Sequence, residues 1–206
     1  QNHPSDHFIG PYTTGFYELR AKGGFANITV GDVIVDTVHG KAHSFQVHGD
    51  DPNVAPSFAR TARAIKRHDC IPCMELSHGG KYGGVPCLSN PTATGTHSYG
   101  PSEEITADGI HVLPMDEEMM KQTAKAFADT ARRAYEAGFE MFILHGGHGW
   151  MINQFLSPAV NKRTDQYGGS TENRCRFPIM IIQEIRKALP KGTPIDFRMS
   201  GAELYE

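Results

Sequence analysis

The chain alternates helical and extended patterns four times, and the connections between them are lopsided. Strand-like apolar runs stand at residues 25–30, 71–76, 139–144 and 194–199, and each follows a helix-like segment, at residues 13–22, 54–68, 116–137 and 170–189. Passages from helix into strand take only a few residues and are marked by Gly23-Gly24, Gly138 or Pro190-Lys191-Gly192, which stop helices. Segments leaving the strands are long, at residues 31–53, 77–115 and 145–169. A parallel sheet with crossover helices produces this rhythm, and its long loops place function at the C-terminal ends of the strands. The clearest helix is 116–137: Asp116 can cap it, Glu117 and Glu118 fill its first turn, and Phe127, Ala131 and Ala134 share a face. Helix 170–189 is expected to bend or restart at Pro178, whose ring removes a backbone donor.

Four strands are half of what closes an eight-stranded barrel. Either they form an open doubly wound sheet or they belong to a larger polypeptide, and the pattern alone leaves both open. Composition narrows the class instead. At 39% hydrophobic and 21% charged, the chain has an ordinary globular composition. A net charge of -3 with dispersed basic residues gives no case for nucleic acid or an anionic membrane as partner. No run approaches a transmembrane length and the polar start lacks the apolar core of a signal peptide, so a soluble protein is expected. Cys70, Cys73, Cys87 and Cys175 are too few and too unevenly spaced for a secreted disulfide framework, which points to a reducing cytoplasmic setting. The Cys70-Ile71-Pro72-Cys73 pair has no second pair at metal-ligand spacing and reads as buried thiols.

The residues able to do chemistry cluster at strand ends. His78 precedes Gly79-Gly80-Lys81, His145 and His148 flank Gly146-Gly147, and Arg198 and Ser200 close the last strand. Two histidines three apart can bind a metal, orient a carbonyl or bond the backbone. Zinc would need two more ligands, such as His78 and Glu75, to converge, and no metal is expected. His39, His43, His48, His97 and His111 lie in polar loops and read as solvated.

Four segments in order, RAKGGFANITVG, ELSHGGK, HGGHGWMINQFLSPAVNKRTDQYGGSTENRCRF and FRMSGAE, carry a resemblance that spans nearly the whole chain. They are similar to the Old Yellow Enzyme family of FMN-dependent oxidoreductases, close to its anaerobic branch of enoate, 2,4-dienoyl-CoA and bile-acid-type enone reductases. The resemblance implies an α/β fold of the (β/α)8 TIM-barrel class. Residues 1–206 would then be part of a single FMN-binding domain, covering about strands 2 to 5, with the first and last strands and the flavin-phosphate loops outside the chain. Such a piece, with uncovered apolar edges, is expected to be poorly stable alone.

The resemblance also implies roles. His145 and His148 would hold the carbonyl or carboxylate oxygen of an α,β-unsaturated substrate, where hydride addition pushes negative charge. Arg198 would stand by the flavin N1/O2 edge, Gly31 near the flavin, and Glu75 in the place of a glutamine that bonds the flavin pyrimidine. An ionised Glu75 only accepts, so it would pair with the flavin N3–H or be protonated. Trp150 replaces a tyrosine that protonates the substrate, and an indole is too weak an acid for that step, which leaves solvent or Tyr82. NADH or NADPH would supply the hydride. A 4Fe-4S cluster and FAD, as in larger members, would lie outside this chain, and a homo-oligomer is compatible. The dense set Asn161, Arg163, Asp165, Tyr167, Gly168, Gly169, Glu172, Asn173 and Arg174 reads as a loop brace rather than a substrate site. Two alternatives stand beside ene reduction: amine oxidation, as in trimethylamine dehydrogenase, and a degenerate barrel that binds a ligand or partner without turnover.

Overall fold

The structure is a computed structural model that describes residues 7–203; the polar start at residues 1–6 lies outside the described residues. In chain order the elements are α1 (Pro11–Lys22), β1 (Asn27–Ile34), β2 (Val47–His48), α2 (Ala55–Lys66), β3 (Ile71–Ser77), β4 (Ser98–Gly100), β5 (Glu104–Ile105), β6 (His111–Pro114), α3 (Glu117–Glu136), β7 (Met141–Gly146), α4 (Met151–Leu156), α5 (Thr171–Ala188) and β8 (Ile195–Met199).

The main sheet has the order β2-β1-β3-β7-β8 and every pairing in it is parallel. Each crossover helix therefore returns the chain to the next strand in the same direction. A doubly wound sheet would reverse that order at a switch point. The strands joined by helices, β1, β3, β7 and β8, stand in chain order, as along the arc of a barrel wall, while β2, reached from β1 without a helix, adds a two-residue strand on the far side of β1. Along each strand the side chains alternate. Met74, Leu76, Phe142 and Leu144 join Phe58, Phe127, Phe139 and Ile181 in the core between sheet and helices, leaving Cys73, Glu75, Ser77, Ile143 and His145 for the inner face.

The helices form where their apolar stripes fall. On α3, Asp116 Oδ1 accepts from the Met119 N–H at 2.7 Å, and Met120, Ala124, Phe127, Ala131 and Ala134 bury one face. On α5, Ser170 Oγ accepts from the Asn173 N–H at 3.3 Å. That helix does not restart at Pro178, one of the two outcomes the sequence suggests, but runs as one element from Thr171 to Ala188. An interior proline costs about 3 kcal/mol, whereas burying Phe177, Ile181 and Ile185 beside it stabilises by about 1.5–3 kcal/mol each. Packing wins.

Strand boundaries differ from the sequence pattern. β1 does not stop at Val30: after a register shift between Val30 and Val33 it resumes, pairing Val33 with Leu76 and Ile34 with Ser77. β7 continues to Gly146, so His145 is held within the strand rather than beyond it. The long strand-leaving loops also contain structure, namely β2 and a small sheet ordered β4-β6-β5. Cys70 and Cys73 are free and buried, and burial pushes the Cys73 thiol up to about 11, which leaves it inert.

Candidate active site

Register brings residues far apart in the chain to one patch. Glu75 of β3 lies opposite Ile143 of β7, and His145 lies opposite Arg198 of β8. Glu75 is 8% exposed and its Oε1 accepts from Arg198 Nη1 at 3.1 Å. The same oxygen is 3.7 Å from His145 Nδ1. A carboxylate this deep requires a counter-charge, and Arg198 supplies it while its own side chain stays 51% exposed. Gly31 of β1 is the near neighbour on the other side: a Cβ there would stand 2.7 Å from Glu75 Cβ. The glycine is thus needed for the close approach of Glu75, and Tyr17 of α1 holds the same residue by its N–H and its carbonyl.

His145 is 4% exposed, and its Nδ1 is a buried polar atom without a hydrogen-bond partner. Its pKa lies below the ordinary histidine value, first because burial disfavours the cation, with Glu75 pulling the other way and Arg198 adding to the depression. The neutral ring therefore has one N–H to offer. His145 Nε2 lies 3.4 Å from His148 Nδ1, with the rings nearly perpendicular at 80°. His148 reaches that position through a left-handed backbone, φ 55°, followed by Gly149 at φ 75°, a conformation that costs a non-glycine residue about 1 kcal/mol or more.

Trp150 forms the side wall. Its indole meets His145 at 6.1 Å, and His43 and Tyr82 edge-on at 5.7 and 6.4 Å between ring centroids. His43 is an exposed loop histidine, as the sequence suggests, whose ring edge also meets this wall, and Tyr82 is about half exposed. His48, by contrast, is not the solvated histidine the sequence suggests: it lies in β2, stacked on His7 at 3.9 Å, and desolvation pushes its pKa down to about 4.

His78 sits at the neighbouring strand end but turns away from the pair. Its Nδ1 accepts from the Gly80 N–H at 3.0 Å, and its Nε2 is 4.0 Å from Asp36 Oδ2 with no hydrogen-bond partner. Burial pushes its pKa down to about 4, against the opposing pull of Asp36. Between that value and the ordinary 6.5 the unfolded chain binds the extra proton, so stability held above pH 6.5 is lost as the pH falls towards 4. We expect a loss on the order of 3 kcal/mol from this group. Denaturant unfolding at stepped pH would measure it, and an unchanged slope in His78→Gln would refute the assignment.

The polar set after α4 behaves as a brace. Asn161 Nδ2 donates to the carbonyls of Phe155 and Tyr167, both at 2.8 Å. Arg163 grips Asp165 and donates to the carbonyls of Pro101 and Met115, while Arg174 donates to Leu156 and Gly169. Two polar residues inside the apolar turn of α4, Asn153 and Gln154, escaped the sequence reading. Their only signal was being polar and adjacent within MINQFL.

Among known families, residues 2–206 match the NADH:flavin oxidoreductase / NADH oxidase family. The chain belongs to that family. An NADH oxidase of Thermoanaerobacter brockii is 35% identical over 198 residues, covering 93% of this chain and 29% of the relative. A structure of 2-naphthoyl-CoA reductase in complex with 2-naphthoyl-CoA superposes with a TM-score of 0.84 at 25% identity, over 95% of this chain and 31% of that one. Old Yellow Enzyme from Pichia sp. AKU4542, at 22% identity, shares the fold with a TM-score of 0.83 over 95% of this chain and 52% of that one. The chain thus spans between about a third and about half of the length of these proteins.

FMN is the cofactor of the NADH:flavin oxidoreductase / NADH oxidase family, and the inner-face residues fit it. A flavin pyrimidine edge presents one N–H between carbonyl oxygens. Glu75 is an acceptor, Arg198 and His145 are donors beside it, and the His145 Nδ1 has no protein partner. Glu75 and Arg198 would hold that edge, and His145 would border it with its one N–H left for the substrate.

Proposed function

We propose that the full-length protein reduces activated C=C bonds of α,β-unsaturated carbonyl compounds, such as enones, enoates or enoyl-CoA esters, with NADH or NADPH as reductant. The observation that carries this reading is the His145–His148 pair, two imidazoles 3.4 Å apart at the rim of a buried carboxylate–arginine pair. Held by Glu75 and Arg198, FMN would supply the hydride relay between nicotinamide and substrate. His145 and His148 each offer an N–H to the substrate oxygen, where charge accumulates as hydride reaches the β-carbon, and one such donor contributes about 100- to 1,000-fold to rate. Arg198 keeps a fixed positive charge beside the flavin's polar edge, and Glu75 prevents that charge from standing alone.

Trp150 supplies no proton, so the α-carbon takes one from solvent or from Tyr82, which lies against the indole. Trp150→Tyr is expected to raise the turnover of a simple enone about 10-fold or more. Product analysis tests the whole reading: NADH should be consumed in step with the saturated ketone formed. Consumption that follows an amine instead, or no dependence on any unsaturated carbonyl, would overturn it.

A further inference from the structure

Two adjacent side chains of α4 tie together the three strand ends that carry the site. Gln154 is 1% exposed. Its Nε2 donates to the Gly149 carbonyl at 2.7 Å and to the Gly79 carbonyl at 3.1 Å, while its Oε1 accepts from the Lys81 N–H at 3.1 Å. It thereby joins the loop after β3 to the loop after β7. Gly80, at φ 60°, passes so close to this amide that a Cβ there would collide with it. Asn153 holds the preceding peptide, between His148 and Gly149: its Oδ1 accepts from the Gly149 N–H at 2.8 Å. Its Nδ2 donates to Glu203 Oε1 at 2.8 Å, and Ser200 Oγ lies 3.3 Å from its Oδ1, which ties in the segment after β8. Gly149 is therefore gripped by its N–H and by its carbonyl, from two successive residues of one helix.

That grip answers a problem posed by the backbone. His148 and Gly149 are consecutive left-handed residues, a conformation that a histidine adopts only when its surroundings over-determine it. We infer that Gln154 and Asn153 are positioning residues that lock the His148–Gly149 turn, and so set the His148 ring against His145 while keying both to the strand ends of Glu75 and Arg198. Neither touches the reacting atoms. They act through His148.

This inference rests on the proposed role of His148, and the test separates the two. Gln154→Met preserves length and apolar bulk but removes every hydrogen bond, whereas Gln154→Glu keeps an acceptor for Lys81 and loses the donors. In full-length protein, imidazole nitrogen NMR without substrate should show His148 and His145 in mutual contact in the wild type. In Gln154→Met the His148 signals should move towards those of a solvated histidine. FMN affinity should stay within about 3-fold, because the hydrogen bonds of Gln154 go to Gly79, Lys81 and Gly149 and not to Glu75, Arg198 or His145. KM for the unsaturated carbonyl should rise about 10-fold or more, with Gln154→Glu no better than Gln154→Met, because orientation of the donor is lost. Unmoved histidine signals in a folded variant would overturn the inference. So would a parallel loss of FMN affinity, which would make the network a cofactor brace. Should neither variant fold, amide exchange in the wild type decides: Gly149 and Lys81 N–H groups exchanging at unprotected rates would refute the clamp. If the wild type binds FMN but reduces no unsaturated carbonyl, the proposed function fails while the histidine signals still decide the clamp.

Discussion

Alanine in place of His145 should lower kcat/KM for an α,β-unsaturated carbonyl by about 100- to 1,000-fold while the protein remains folded. The size follows from position. His145 is on a strand rather than a loop, it is buried, and its Nδ1 has no protein partner, so its imidazole is preorganised at no further cost when charge develops on the substrate. Removing it also takes away the neighbour against which His148 is set, at 3.4 Å. The two losses are not additive: His145→Ala/His148→Ala should be little worse than His145→Ala alone. A loss below about 10-fold in the single variant would mean that the histidine pair does not carry the substrate oxygen.

The second large effect concerns stability. Asn161→Ala should destabilise the protein by about 3 kcal/mol. The amide is buried and holds three backbone groups at once: the carbonyls of Phe155 and Tyr167 through Nδ2, and the Arg163 N–H, at 3.1 Å, through Oδ1. Alanine leaves all three in the interior unpaired, and each such group costs about 1–3 kcal/mol. Asn161→Asp should fall between, because it retains the acceptor and loses the donors. Denaturant midpoints at constant slope would measure both. A loss for Asn161→Ala under about 1 kcal/mol would contradict the brace. Because the loop that Asn161 pins leads into α5, activity should fall only as far as the folded fraction does.

Much of this architecture is legible in the chain, for identifiable reasons. Helices such as α3 and strands such as β3 announce themselves because a buried stripe imposes a period and caps mark the ends. The expectation of a partial barrel agrees with the all-parallel main sheet and with the fold shared with Old Yellow Enzyme. What escaped has no period to show. β2 and β5 are two residues long, held by their partners rather than by their own pattern. Gly31 reads as a strand end but sits at a register shift inside β1, because the sequence cannot say that Glu75 occupies the space beside it. Pro178 reads as a break because local propensity says nothing of the face that α5 buries.

The site divides the same way. His145 and His148 are close in sequence, so their pairing could be anticipated, although residues alone left it open between metal, carbonyl and backbone. The Glu75–Arg198 pair joins positions 123 apart and emerges only from register. Trp150 is a departure that family resemblance exposes, yet its packing against His43 and Tyr82 depends on loops whose course no pattern predicts. His78 stands at a neighbouring strand end in the sequence pattern, and only the fold shows that its ring lies beside Asp36.

The central claim is that Glu75 and Arg198 form the flavin-facing edge, and His145 with His148 the substrate-oxygen site, of an enzyme that passes hydride to an unsaturated carbonyl. The most direct measurement is the visible spectrum of the purified full-length protein under anaerobic conditions. The account predicts flavin bands, their bleaching by an equivalent of NADH or NADPH, and their return on addition of an enone with formation of the saturated ketone. A colourless protein that cannot be reconstituted with FMN would contradict it.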